Sequence, residues 1–513
     1  MSSTTTYEDL ELEVLQSNKS RIVLGTPQDP EATPPDSPVK ITIDWDGPND
    51  PHNPLNWSYS RKWLITGVSC FLCFAVGING LAITAASDRV DALFHIDDLG
   101  AKAYNAYWVV TCWNGGAILG PLVGLPMMET FGVKKGYLIS FALFTIFVLP
   151  QAFAQNYATL LVSRFLSGAF GSVVQNGVAC VIGDLWEEQE NSVPVTLFIY
   201  AYLMGFTMGP AIGGAILSSL DWRWIFYIQL MAYAVLLPIC YFIVAETRGS
   251  ILLLQKAKRL APQLGYTPAL ANHTQQTFFR SLYDSTIRPV QMLLTEPVLF
   301  TFTLWSGIAI GNVFLGTQSI AQIYAANYNF NFIQSGYIQA AMGVGETLAL
   351  VVCLAQNHIY ARSARRNPEQ PGMPVPESRL ELSIPMSFLG LAGGLLIYAW
   401  TSYADTPWIG PTVGLGLVGA GVTVVVSCAM SYLADFYGIY AGSAIAAVAA
   451  VENVFSALLP LATERMYTNL GFGWASTLLA MIALLLSFAP VVLYMKGRRL
   501  RAKSVFMERM KAH

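Results

Sequence analysis

Charge is what this chain has least of. Asp, Glu, Lys and Arg make up 12% of its 513 residues, against about 25% in an ordinary soluble protein. Hydrophobic residues make up 54%, and the mean hydropathy is +0.47. Too little polar surface remains to face water on every side, so a soluble globular protein is excluded and lipid is the solvent that fits. The net charge of −3 says nothing of orientation, which depends on where Lys and Arg lie.

Chemical signatures are missing too. No P-loop G-x(4)-G-K-[ST] opens a helix, so ATP drive is unsupported. There is no nucleophile elbow, no H-E-x-x-H and no repeated pore loop, so an enzyme or a channel is set aside, and no cofactor is expected. The seven Cys (Cys70, Cys73, Cys112, Cys180, Cys240, Cys353 and Cys428) are scattered through apolar stretches. Cys70 and Cys73 form a C-x-x-C without a second pair or a nearby His, which reads as helix packing, not as a metal or disulfide site.

What is present is a recurrence of apolar runs. Residues 1–60 are polar and Pro-rich, lack the apolar core of a signal peptide, and read as a disordered tail. Spans then fall near 63–83, 103–125, 137–155, 159–182, 195–217, 224–244, 298–322, 336–356, 384–403, 410–432, 440–462 and 472–494, each long enough to cross a hydrocarbon core about 30 Å thick. The expected organisation is a tail (1–60), a six-helix half (61–245), a polar middle loop (246–297), a second six-helix half (298–495) and a basic tail (496–513). With both termini on the middle-loop side, 24 Lys and Arg fall on that side and 4 on the other, with Arg164 inside a span. Such a bias places that side, and both termini, in the cytosol. The basic end, Lys496 to Arg501, reads as a topological anchor and not as a nucleic-acid patch. The triplets at Asn18, Asn56 and Asn272 fall on the cytosolic side, where no glycan is added.

Local sequence adds a family likeness. In the fifth span, Gly205-Phe-Thr-Met-Gly209-Pro210-Ala-Ile-Gly213-Gly214 combines glycines that let helix backbones approach with a proline that removes a hydrogen bond. It resembles the antiporter motif G-x(3)-G-P-x(2)-G-G of the major facilitator superfamily. After the second span, Glu129, Gly132 and Lys134 match the family's G-x(3)-D-R-x-G-R-R loop, although Leu125 stands for its first Gly and Val133 for a base. Arg164 with Gly168 matches the R-x(3)-G of the fourth span. The segments Asp50 to Trp57, Trp222 to Phe226, Glu246-Thr247-Arg248, Lys256 to Leu260, Pro460 and Leu470 to Ala475 resemble the fungal drug:proton antiporter branch, over roughly residues 44–505. That branch carries an Arg eight residues before the Pro of the eleventh span; here the position is Glu452. The resemblance implies an all-α integral membrane protein, with two six-helix halves around a central cavity.

An ionisable group at mid-bilayer costs at least about 2.5–3.5 kcal/mol and marks function by default. Arg164, Glu346 and Glu452 are the candidates for proton coupling, each set against a purely packing role; burial favours the neutral form of an acid. Asn79, Asn114, Gln175, Asn176, Asn312, Gln318 and Gln339 are candidates for a cavity lining. Trp305 and Trp113 are candidates for stacking on a flat ligand, and Trp108 reads as an interfacial belt residue. Asp184 and Asp435, at matching ends of the fourth and tenth spans, read as gate or cap residues.

The reading is a proton-coupled secondary transporter that exports a small, largely apolar organic compound (a drug, toxin or secondary metabolite) by alternating access. The alternative is a proton symporter importing an organic acid, vitamin or sugar. Its expected partners are that substrate, protons and the lipid bilayer; it is expected to be a monomer, in the plasma membrane or alternatively the vacuolar membrane.

Overall fold

The computed structural model describes residues 23–24, 41–96, 107–187, 190–264, 269–270, 278–366, 374–501, 504 and 506. Among them, twelve helical segments are long and apolar enough to cross a membrane: Tyr59–Phe94, Trp108–Phe131, Val133–Ala152, Tyr157–Leu185, Ser192–Leu217, Arg223–Ile243, Pro297–Tyr328, Phe332–Ser363, Pro376–Thr401, Ile409–Tyr437, Ala441–Leu470 and Phe472–Gly497. We number these as the first to twelfth spans. Each matches one expected from the apolar runs. The seventh and eighth, at 32 residues each, outlast the expected spans because a helix continues past the hydrocarbon once its hydrogen bonds are made. At 1.5 Å per residue they reach about 48 Å.

Local chemistry sets several ends. Asn156 begins the fourth span by accepting the Thr159 N–H at 2.7 Å. Asn331 and Gln334 form a reciprocal capping box at the eighth. Asn329 ends the seventh in the left-handed conformation, with φ 56°. Side chains that face outward, such as Phe71, Ile146, Val235, Phe242, Leu348 and Leu485, are apolar and exposed. Only lipid makes that surface stable.

The two halves repeat one plan. The second span packs on the fourth and the first on the fifth; correspondingly, the eighth packs on the tenth and the seventh on the eleventh. The fifth span meets the eighth, and the second meets the eleventh, across the boundary between halves. The ninth span departs from the sequence reading: a π-helical stretch, Met386–Ala392, joins Ser383–Pro385 to Gly393–Thr401.

The end of the bundle that bears the middle loop, here the loop end, carries more structure than the sequence indicates. Residues 41–58, assigned above to a disordered tail, are folded. Asp50 accepts the Asp46 and His52 N–H groups at 3.0 and 2.8 Å, and Asn56 Nδ2 donates to the carbonyls of Pro48 and Asp50. Burial opposes the Asp50 charge, but those donors and nearby Lys256 and His52 outweigh it and lower its pKa. Strand Ile41–Ile43 pairs antiparallel with Val23–Leu24 and parallel with Ala269–Leu270 of the middle loop. Trp45 packs with Leu253, Ala257 and Leu260 of the loop helix Gly249–Leu264, and Asp46 pairs with Lys256 at 2.6 Å. A second loop helix, Phe278–Thr295, packs on both the second and the eleventh spans.

Candidate functional site

The intramembrane ionisable groups are fully buried or nearly so, and each has a different kind of partner. Arg164 faces carbonyls. Its Nε donates to Val109 O at 3.1 Å, Nη1 to Asn79 O and Oδ1 at 2.6 and 3.1 Å, and Nη2 to Gly80 O at 2.5 Å. Asn79 in turn donates to Gln229 Oε1 at 2.8 Å. The first span changes from α to 3-10 winding at Ala82–Ala86, which leaves the carbonyls of Asn79 and Gly80 available. Arg164 therefore knots the first, second, fourth and sixth spans within one half. Asn79, expected in the cavity lining, belongs to that knot.

Glu346 reaches across the boundary instead. Thr207 Oγ1 of the fifth span donates to Glu346 Oε1 of the eighth at 2.5 Å. Oε2 has no hydrogen-bond partner among the described residues, and the side chain is 0% exposed. Thr207 lies inside the glycine-rich segment, whose two faces meet different neighbours. A Cβ on Gly205 would stand 3.1 Å from Gly77 Cα, and one on Gly209 would stand 3.0 Å from Ala82 N, both of the first span. On the other face, Gly336 of the eighth span is so close that its Cβ would lie 2.6 Å from Pro210 O. Leucine-sized residues cannot occupy either seam. Glu452 stays within its own half: its Oε1 accepts the Ser306 hydroxyl of the seventh span.

The cavity candidates divide. Trp305 is fully buried in packing, with Nε1 donating to Ser387 Oγ at 2.9 Å and its ring edge-on to Phe302. It is thus held within the second half, in place of the ligand contact expected of it. Asn176 donates to Ser172 O of its own helix at 2.8 Å. Asn114 Nδ2 donates to Val110 O and, at 3.5 Å, to Ser456 O across the boundary. Gln339 Nε2 donates to Val313 O at 3.2 Å, and Asn312 Nδ2 to Ile308 O at 2.7 Å. Five of these residues keep a buried polar atom without a partner among the described residues: Asn114 Oδ1, Gln175 Nε2, Asn312 Oδ1, Gln318 Oε1 and Gln339 Oε1. Such groups cost about 1–3 kcal/mol each; they are the atoms from which a bound polar group or water gains most.

Sequence reasoning missed an aromatic bridge between the halves. The Phe206 ring contacts Trp113 at 5.5 Å, Tyr202 at 5.1 Å and Phe314 at 5.0 Å. Phe206 lies within the antiporter-like segment and Tyr202 three residues before it, which was the available signal. It also missed Thr207 and Ser306, the hydroxyl partners of the two acids.

At the loop end, Glu246 caps the third span, accepting the Val133 and Lys134 N–H groups at 2.9 and 3.3 Å. Its carboxylate occupies the space a Cβ on Gly132 would need, and Gly132 has φ 106°. Arg248 pairs with Asp184 at 3.2 Å and Glu129 at 3.8 Å. Burial works against its charge, but those two carboxylates outweigh it and raise its pKa above the ordinary value. Lys134 instead lies 5.2 Å over the Tyr241 ring. In the second half, Arg379 pairs with Asp435 at 2.9 Å and donates to Ser192 Oγ of the first half at 3.2 Å. Asn357 adds bonds to Ser192 O and Thr196 Oγ1. Arg379 was read only as one of many loop-side charges.

The sequence model of the Major Facilitator Superfamily matches residues 65–460. The chain belongs to the Major Facilitator Superfamily. It is 32% identical over 473 residues to the MFS transporter cpaT of Aspergillus oryzae, spanning 91% of this chain and 93% of that one. It is 30% identical over 502 residues to the efflux pump atB of Aspergillus terreus, spanning 95% and 94%. Among solved structures, the proton:xylose symporter XylE shares the fold, with a TM-score of 0.61 at 13% identity over 86% of this chain and 96% of that one. As a member of this superfamily the protein is a multi-pass membrane transporter of small molecules and not an enzyme, and its efflux-pump relatives place it in the fungal branch.

Proposed function

We propose that this transporter exports a small, largely apolar organic compound in exchange for protons, with Glu346 as the proton-binding group. The observation that carries the reading is the Thr207–Glu346 hydrogen bond. It joins a titratable group of one half to the helix of the other half that bears the antiporter-like motif. One carboxyl oxygen has a donor and the other has no partner among the described residues, so a proton on Glu346 changes which acceptors it can serve. A substrate entering between the fifth and eighth spans disturbs the same contact, which sets proton and substrate in opposition. Glu452 bonds to Ser306 within its own half, so that hydrogen bond does not span the boundary, although its charge acts on Tyr202 of the fifth span. The aromatic bridge of Trp113, Tyr202, Phe206 and Phe314 supplies flat apolar surface for an organic substrate.

Residues 61–245 and 298–495 are the bodies that rock, with the loop end in the cytosol, where 24 of the Lys and Arg lie. The printed name of atB, an efflux pump, supports export. The plasma membrane and a monomeric state fit the same reading. The test is counterflow in proteoliposomes, with a panel of labelled aromatic compounds and an imposed pH gradient. Exchange that follows the gradient, with proton movement opposite to substrate, supports antiport. Substrate moving with protons, or indifference to the gradient, overturns it.

A further inference from the structure

The loop end of the seventh span is held by the chain's own C-terminal segment. Glu296, immediately before Pro297, is 2% exposed. Its Oε1 accepts the Ser504 hydroxyl at 3.0 Å and the Phe506 N–H at 3.4 Å, and its Oε2 accepts the Tyr437 hydroxyl at 3.3 Å. Ser504 and Phe506 are themselves buried. The Phe506 ring stands edge-on to Tyr440 at 5.3 Å, and the Arg288 guanidinium lies 5.6 Å over that same Tyr440 ring. Arg288 belongs to the loop helix Phe278–Thr295, which touches both halves. Ser504 and Phe506 thus form a strap, seated on one carboxylate and one aromatic ring beside the helix that bridges the halves.

The sequence leading into the strap is Arg499-Leu500-Arg501-Ala502-Lys503-Ser504. It places Arg three and five residues before a serine, a spacing that protein kinases with carboxylate-lined substrate clefts read by bidentate pairing. The topological-anchor reading accounts for the positive charge here, but not for a hydroxyl at that offset seated on a buried carboxylate.

We propose that Ser504 is a phosphorylation site for an arginine-directed protein kinase, and that its phosphate unseats the strap from Glu296. Ser504 Oγ bonds to the γ-phosphorus of ATP, the bond from that phosphorus to the ADP oxygen breaks, ADP leaves, and the hydroxyl proton passes to the kinase. A hydroxyl that donates to Glu296 becomes a group with a charge of about −1.5 to −2 and only acceptor oxygens. In the same place it loses the hydrogen bond and meets a like charge. Because the seated serine is buried, the kinase takes the strap from its released state, and the phosphate keeps it there. In cells this rests on the cytosolic orientation proposed above, since ATP and kinases are on that side.

The test uses the full-length protein in lipid nanodiscs, with ATP and an arginine-directed kinase. Phosphate is expected on Ser504, absent in Ser504→Ala, and reduced about tenfold when Arg499 and Arg501 are both changed to Ala. Amide hydrogen exchange over residues 500–508 should rise about tenfold on phosphorylation, while the eighth span stays protected. In Glu296→Gln the phosphate meets no carboxylate, and the rise should be smaller. No phosphate on Ser504 overturns the site, and phosphorylation with unchanged exchange overturns the release. Orientation is read separately by external thiol labelling, so its failure is distinguishable from failure of the strap.

Discussion

The Thr207 hydroxyl donates to Glu346 at 2.5 Å, and this bond ties the two halves of the molecule together at mid-span. Glutamine at 346 keeps the shape and the acceptor but removes the titration. Glu346→Gln is expected to lose pH-driven uphill export by about 100-fold while retaining downhill exchange within about threefold of the parent, an effect of about 2.7 kcal/mol on coupling alone. Glu452→Gln should retain pH dependence. The measurement is substrate flux into proteoliposomes at two imposed gradients; equal pH response in Glu346→Gln and the parent removes Glu346 as the proton carrier.

Thr207→Val deletes the donor and leaves the carboxyl buried beside a methyl group. The loss of a hydrogen bond to such a group is worth about 1–3 kcal/mol. The pH at which export is half-maximal should shift, with the amount of folded protein nearly unchanged. A profile superimposable on the parent's separates Thr207 from coupling.

Gly209 sits where a Cβ would stand 3.0 Å from Ala82 N. Gly209→Leu forces the first and fifth spans apart, and export should fall to background. Gly183, whose Cβ position has nothing within 4 Å, provides the control: Gly183→Ala should transport normally. Full export by Gly209→Leu shows that the close seam is dispensable.

Gln255 is exposed on the loop helix Gly249–Leu264. Under the cytosolic assignment, Gln255→Cys should resist an impermeant thiol reagent in intact cells and react after permeabilisation. Strong labelling from outside reverses the topology.

Arg164 donates to three carbonyls and one side-chain oxygen. Lys has no planar fork to replace that set. Arg164→Lys should lower the melting temperature by several degrees, at about 1–3 kcal/mol for buried acceptors left unmet. Unchanged stability with lost coupling would return Arg164 to the proton pathway.

Twelve spans were legible because lipid demands long apolar helices, and composition writes those directly into the chain. The glycine-rich segment was legible because close approach permits so few residue types. What faces such a segment was not legible. Thr207 and Ser306 are small hydroxyl residues in apolar helices, where either can satisfy itself on its own backbone, so nothing in sequence announces that each holds an acid. Arg164 stood between proton coupling and packing because the sequence does not reveal that the first span changes winding at Ala82 and bares its carbonyls. Trp305 looked available for a ligand because its hydrogen-bond partner, Ser387, is 82 residues away. The tail from Ile41 read as disordered by its prolines, while its Asp and Asn side chains were satisfying the local backbone.

The fifth span has one glycine seam toward the first span and another close approach toward the eighth. In the rocking motion proposed above, it works as a bearing, fixed to its own half on one side and offering the moving half a smooth track on the other. Smooth tracks carry no shape memory, so what stops the travel must be the few polar contacts set along it: Ser192 with Arg379 and Asn357 at one end, and Thr207 with Glu346 at the middle. Under that proposal, substrate range drifts through the aromatic residues beside the track without altering the stroke, while a change to the stops alters the stroke for every substrate alike.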